Sequence, residues 1–175
     1  MNLKSKNDIS TPLVALLLLG LVLLCHGLSL KAQFMVDDFY YVKAVTTANV
    51  DLLANLSLTK NNPGHHLNPL DPTINTFLFS IFQEPIYFYG LNLFLFYGNV
   101  LLLYLIVHFL TQSKGTALTA AALFTVHPFN AEVLCHATFS TVLLTAGFLQ
   151  LSFIYFLKNF LAQKISKGWL WLSLI

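Results

Sequence analysis

Three stretches of the sequence are too apolar and too long for a water-soluble fold. They cover residues 12–30, 86–110 and 138–157, and none contains Asp, Glu, Lys or Arg. A helix needs about 20 mainly apolar residues to cross a bilayer. Only 9% of all residues are charged, against about a quarter in soluble domains, so the remaining segments cannot supply a water-facing surface. The sequence therefore predicts an all-α, polytopic integral membrane protein.

The charged residues exclude other classes of protein. A net charge of +2 is too small for a surface that contacts the phosphates of nucleic acid, so we expect no nucleic-acid partner. All nine basic residues are lysines, which leaves no side chain for planar, two-pronged phosphate recognition. The two cysteines form no C-x-x-C motif, and the sequence indicates no metal site and no cofactor.

Shorter segments fill the gaps between the long apolar stretches. Residues 73–82 are predicted to form an interfacial helix, and residues 116–126 form an Ala-rich helix that the His127-Pro128 pair ends. We expect about four full or partial crossings. The final apolar run has only eight residues, too few to cross a bilayer, so residues 1–175 are expected to form a single, truncated transmembrane domain.

The first apolar stretch has two interpretations. It lacks a clear small-residue cleavage site and is long for a signal peptide, which favours an uncleaved span over a cleaved leader. The polar region that follows, residues 31–72, then forms a loop on the far side of the membrane. Lysines are concentrated in the segments that would be cytoplasmic if the N-terminus is cytoplasmic; these are Lys4, Lys6, Lys114, Lys158, Lys164 and Lys167.

This orientation puts two groups of polar residues on the same outer side. The Asp37-Asp38 pair follows the first span, and the turn of residues 127–132 follows the Ala-rich helix. The outer side would face the lumen of the endoplasmic reticulum or the exterior of a plasma or inner membrane. The lysine distribution therefore predicts that the two groups lie on the same side of the membrane.

Asp37 and Asp38 are the first candidates for chemistry. They lie beside apolar and aromatic residues at a membrane interface, where desolvation and mutual repulsion suit a carboxylate to the role of general base. Ionisable groups near the membrane interior are functional by default. The alternative is a solvated pair that only marks where the helix leaves the lipid.

The second group of candidates comprises His127, Glu132 and Asn92. If residues 130–138 are helical, Glu132 and His136 share a face and can bind a metal, relay a proton or hold a sugar hydroxyl. The alternative is a helix-capping turn with Asn130 as the cap. Asn92 shares a face with Asn99 in the second long span, and such amides bond across helices.

These motifs together resemble the N-terminal part of GT-C superfamily glycosyltransferases. The likeness is to the transmembrane and tetratricopeptide-repeat O-mannosyltransferase group and its bacterial relatives. It is carried by a span followed by Asp37-Asp38, then a polar loop, then the Leu91-Asn92 pair, then the segment from Ala122 to Glu132 with its Phe-x-x-His-Pro-x-x-x-Glu pattern. The resemblance covers about residues 12–157.

The resemblance implies a site and a reaction. Such enzymes transfer a sugar from a polyprenyl-phosphate carrier to a hydroxyl of a protein or glycan acceptor on the outer or lumenal face. Asp37 or Asp38 would deprotonate that hydroxyl, and His127, Glu132 and Asn92 would bind substrate. Two other classes remain open from the residues alone: a non-catalytic relic, and a small membrane transport or assembly subunit. If the chain is one half of a split protein, a second chain would complete the fold.

Overall fold

The computed structural model describes residues 10–34, 38, 77–82 and 84–161. Within these ranges the chain forms helices and contains no strand, which confirms the all-α prediction. Several predicted features lie outside the described residues. These are Asp37, most of the 31–72 loop, the first residues of the predicted interfacial helix and the final apolar run.

Three helical segments are long and apolar enough to cross a membrane, and they identify a membrane protein. The first joins helix α1 (Thr11–His26) to a 3₁₀ turn and covers Thr11–Lys31. The second is helix α2 (Pro85–Thr111). The third covers Ala137–Asn159, a 3₁₀ turn followed by most of helix α5 (Ser140–Leu161). All three coincide with the apolar stretches of the sequence.

Helix α3 (Lys114–Val126) is the predicted Ala-rich helix. Its 13 residues span roughly 20 Å, less than the hydrocarbon core of a bilayer, so α3 is a partial crossing. It begins after Ser113, whose side chain accepts a hydrogen bond from the Thr116 amide. It ends before His127, whose extended backbone (φ −64°, ψ 125°) is the conformation that a following proline imposes.

Helix α4 (Phe129–Leu134) corrects the prediction for the next segment. The helix ends at Leu134, and the following His136 has an extended backbone (φ −109°, ψ 121°), so residues 130–138 are not one helix. Glu132 and His136 therefore do not share a helix face. Asn130 is not the cap either, because it is the second residue of the helix and is buried.

The chain divides into two compact units. The first contains residues 1–25, 96–127 and 145–175, and the second contains residues 26–95 and 128–144. In the first unit, the Tyr97 hydroxyl donates to the Ala15 carbonyl at 3.0 Å, and the Phe96 and Phe124 rings stack with centroids 5.6 Å apart. The second unit holds the candidate site.

Large apolar side chains on the long helices are exposed to the surroundings. Phe94, Leu16 and Phe148 have 70%, 64% and 67% of their surface exposed. Contiguous apolar surface of this kind is unfavourable in water and normal for helices that face lipid. The distribution of exposed residues therefore agrees with the membrane assignment made from helix length.

Candidate functional site

An aromatic cluster forms the base of the second unit. It contains Phe34, Phe79, Phe82, Phe88 and Tyr89, with Ala137 buried among them. The Phe88 ring lies 4.2 Å from Phe79, 5.7 Å from Phe34 and 6.2 Å from Phe82, measured between centroids. Aromatic pairs at these distances stabilise a fold beyond their area burial. The cluster thereby connects the segment after α1, the helical residues 77–81, the first turns of α2 and the turn before α5.

Tyr89 fixes the segment that leads to Asp38. Its ring is fully buried, and its hydroxyl donates to the Gln33 carbonyl at 2.8 Å. Phe34, the next residue, packs its ring against Phe79 and Phe88. One hydrogen bond and one ring contact therefore hold the chain against α2 four or five residues before Asp38, and a second ring contact holds it against residues 77–81.

Asn92 lies one helical turn after Tyr89 and faces the same side of α2. Its side chain is fully buried, and its Nδ2 donates to the His136 carbonyl at 2.7 Å. This bond joins α2 to the extended residue before α5, so the amide bonds to a segment that is not helical. It also gives the reason why α4 stops at Leu134, since His136 is held in an extended conformation by a partner outside the helix.

The other end of the Asn92 amide has no such partner. Oδ1 is buried and accepts no hydrogen bond from any described residue. Buried carbonyl oxygens of this kind are rare, because a buried acceptor without a donor is unfavourable. The unsatisfied oxygen is therefore a candidate contact for a ligand.

Asp38 is fully buried in the second unit. Its carboxyl group lies close enough to the Tyr89 phenol to interact with it electrostatically. The Cys135 thiol also interacts electrostatically with the Tyr89 phenol. A carboxylate buried near a membrane surface is costly unless the surrounding groups compensate for its charge. We call Asp38, Tyr89 and Asn92, with the carbonyls of Gln33 and His136, the Asp38 site.

The remaining candidates lie on the surface. Glu132 is exposed on α4, and His127 is exposed at the end of α3. The two residues belong to different units, and neither is part of the buried Asp38 site. Asp37 lies outside the described residues.

Sequence reasoning missed Tyr89, Cys135 and the two backbone carbonyls. Tyr89 was discoverable, because it precedes Asn92 by three residues and shares its helix face. The Gln33 and His136 carbonyls were not, since a backbone acceptor carries no sequence signal. Within the described ranges, no three His, Cys, Asp or Glu side chains lie together as a metal site requires.

The depth of the site follows from the length of α2. Its 27 residues span roughly 40 Å, whereas the hydrocarbon core is about 30 Å thick. Asn92 lies seven residues after the first residue of the helix, roughly 10 Å along its axis. If the part of α2 that exceeds the hydrocarbon core lies at the N-terminal end of the helix, Asn92 lies near the boundary between lipid and water.

Comparisons with family models, curated proteins and solved structures found no match to the chain. The site therefore has to be interpreted from its own residues.

Proposed function

We propose that the chain is a membrane glycosyltransferase of the GT-C type, or the N-terminal part of one. It would transfer a sugar from a polyprenyl-phosphate carrier to a hydroxyl of a protein or glycan acceptor. The observation that supports this best is the fully buried carboxyl group of Asp38, which lies beyond the first span and interacts electrostatically with Tyr89. The motif resemblance described above supplies the class of reaction.

Asp38 would act as the general base in this reaction. It accepts the proton of the acceptor hydroxyl, whose oxygen then forms a bond to the anomeric carbon of the sugar. The bond from that carbon to the carrier phosphate breaks, and polyprenyl phosphate leaves with the electron pair. A positioned base of this kind accelerates proton transfer by about 10²–10⁴-fold. Asp37 keeps its proposed role as a second acid, and the substrate contacts of Glu132 and His127 rest on the motif resemblance alone.

Sugar transfer by the full chain tests this proposal directly. Membranes that contain the chain are incubated with polyprenyl-phosphate mannose and, separately, with polyprenyl-phosphate glucose, each labelled in the sugar. We expect label to pass to protein or glycan in membranes with the chain and not in matched membranes without it. Absence of transfer from both donors would contradict the proposed activity and favour a non-catalytic relic.

The proposed site faces the outer or lumenal side only if the N-terminus is cytoplasmic. Cys135 provides a probe, because it is half-buried and lies next to His136. In right-side-out vesicles of the Cys25→Ser variant, we expect a membrane-impermeant maleimide to modify Cys135. Gly115→Cys in a chain without other cysteines is the matched probe for the cytoplasmic side, since a Cβ at position 115 meets nothing within 4 Å.

The maleimide should reach Gly115→Cys only after the vesicles are opened. An additional cysteine at Ala131, which is exposed on α4, reports on the outer side if Cys135 reacts slowly. Modification of Gly115→Cys alone in sealed vesicles would reverse the orientation. The Asp38 site would then face the cytoplasm.

A further inference from the structure

The charged residues are divided unequally between the two compact units. In the described part of the first unit the charged side chains are those of Lys114 and Lys158, and no acid is present. The described part of the second unit contains Lys31 and three acids, which are Asp38, Glu84 and Glu132. Among the described residues the two units therefore carry net charges of opposite sign.

The sequence on either side of the described residues continues this asymmetry. The segment before α1 contains Lys4 and Lys6 and one acid, Asp8. The segment after α5 contains Lys164 and Lys167 and no acid. In the sequence as a whole, six of the nine lysines and one of the seven acids therefore fall within the first unit.

Lys158 lies where the third span ends. It follows Ala137, the first residue of that span, by roughly 30 Å of helix, which is the thickness of the hydrocarbon core. Its side chain is exposed, and the exposed rings of Tyr155 and Phe156 precede it by less than one turn. Exposed aromatic rings followed by a lysine are typical of the level where acyl chains meet headgroups. The ammonium group of Lys158 is therefore expected at the level of the phospholipid headgroups.

Lys114 lies just after the end of the second span. It is the first residue of α3 and follows Thr111, the last residue of α2, by three positions. The turn between the two helices is exposed at Thr111 and Gln112 and contains no acid. The C-terminal ends of two spans in the same unit are therefore each accompanied by a lysine.

We propose that Lys114 and Lys158 bind the headgroups of anionic phospholipids in the leaflet next to them. Both are in the unit whose described residues include no acid, so the charge of this surface is complementary to an anionic headgroup. A lysine is a compact point charge that attracts a phosphate without requiring a planar, two-pronged geometry. The attraction is about 1 kcal/mol per lysine near an anionic surface, or about 5-fold in association constant. The proposal depends neither on sugar transfer nor on the side of the membrane that holds the N-terminus.

Quenching of tryptophan fluorescence by brominated lipids measures which lipids lie next to each lysine. Both native tryptophans are replaced by Phe, and a single probe is introduced as Phe156→Trp beside Lys158 or as Leu110→Trp before Lys114. Both probe positions are exposed. The full chain is reconstituted in phosphatidylcholine with increasing amounts of brominated phosphatidylglycerol or brominated phosphatidylcholine. Because both lipids contain a phosphate, a difference between them reports the net charge of the headgroup.

We expect phosphatidylglycerol to bind next to both probes with an association constant about 5-fold above that of phosphatidylcholine. Lys158→Gln should remove the preference at Phe156→Trp, and Lys114→Gln should remove it at Leu110→Trp. In the chain with both lysines, 1 M NaCl should also remove it, because the Debye length falls to about 3 Å. The salt titration needs no lysine variant to fold.

Lys31→Gln is the matched control, because Lys31 is an exposed lysine at the end of the first span in the other unit. It should leave the preference at both probes unchanged. A third probe, Phe94→Trp, lies in the unit that contains the described acids and should show no preference for phosphatidylglycerol. Equal quenching by the two brominated lipids at Phe156→Trp and Leu110→Trp would overturn the proposal. A preference that survives salt and both Lys→Gln changes, or that is equally strong at Phe94→Trp, would overturn it as well.

Discussion

The Asp38→Asn variant should lose sugar transfer by about 10²–10⁴-fold. Asn has the same shape as Asp but cannot accept the proton of the acceptor hydroxyl, so the loss should appear in kcat rather than KM. The substitution also preserves the volume of the buried side chain, so it opens no cavity in the site. The measurement is the initial rate of transfer from the labelled donor that the wild-type chain uses.

Glu84→Gln is the control for this variant. Glu84 is an exposed acid just before α2, in the same unit as Asp38, and it has no place in the proposed site. Its transfer rate should equal that of the wild-type chain. If Asp38→Asn keeps most of the rate, Asp38 is not the base and Asp37 becomes the candidate. If Asp38→Asn loses the folded state as well as transfer, Asp38 serves folding instead of proton transfer.

The long helices could be predicted from the sequence with little ambiguity. Each contains roughly twenty residues without Asp, Glu, Lys or Arg, and in lipid only a helix satisfies the backbone of such a segment. The end of α3 was equally clear, because Pro128 imposes an extended conformation on His127. These features depend on the adjacent residues and on whether a segment lies in lipid. Both can be deduced from the sequence.

The segment after Pro128 could not be predicted in the same way. Residues 130–138 have a helical pattern, but the chain turns at Cys135 because the His136 carbonyl is held by Asn92, 44 residues earlier. A contact across that separation outweighs a local preference, and nothing in the sequence marks the backbone carbonyl that takes part. For this reason the predicted Glu132 and His136 pair does not exist.

The buried part of the site was predicted better than its surface part. Asp38 and Asn92 were selected because a polar side chain in an apolar segment needs a reason, and both are fully buried. His127 and Glu132 were selected from a motif, and both are exposed in the described structure. Tyr89 was overlooked among the many Phe and Tyr residues of this region, although its spacing of three residues from Asn92 places it on the same helix face.

The Phe88→Ala variant should show the largest loss of stability of any single substitution in the aromatic cluster. Phe88 is fully buried and its ring contacts Phe34, Phe79 and Phe82. Truncation leaves a cavity among rings that cannot collapse into it, and buried Phe→Ala changes cost about 3–5 kcal/mol. Within lipid the transfer part of this cost shrinks while the lost packing contacts remain, so we expect a value near the lower end, about 3 kcal/mol.

Phe94→Ala removes the same side chain from the same helix at a position where 70% of its surface is exposed. Because lipid replaces the lost contacts there, we expect a change of less than about 0.5 kcal/mol. The measurement is the free energy of unfolding of both variants in mixed micelles titrated with a denaturing detergent. Equal losses for the two variants would show that the cluster does not hold the unit together.

The position of Phe88 also predicts how its loss affects the site. Phe34 packs against Phe88 and follows the residue whose carbonyl accepts from Tyr89, so the cluster and the Tyr89 bond hold the same segment before Asp38. In Phe88→Ala this segment keeps its hydrogen bond and loses part of its packing. Sugar transfer should therefore fall at temperatures where the variant is still folded, while Phe94→Ala keeps the wild-type rate. An unchanged rate in folded Phe88→Ala would mean that the hydrogen bond of Tyr89 alone is enough to position the base.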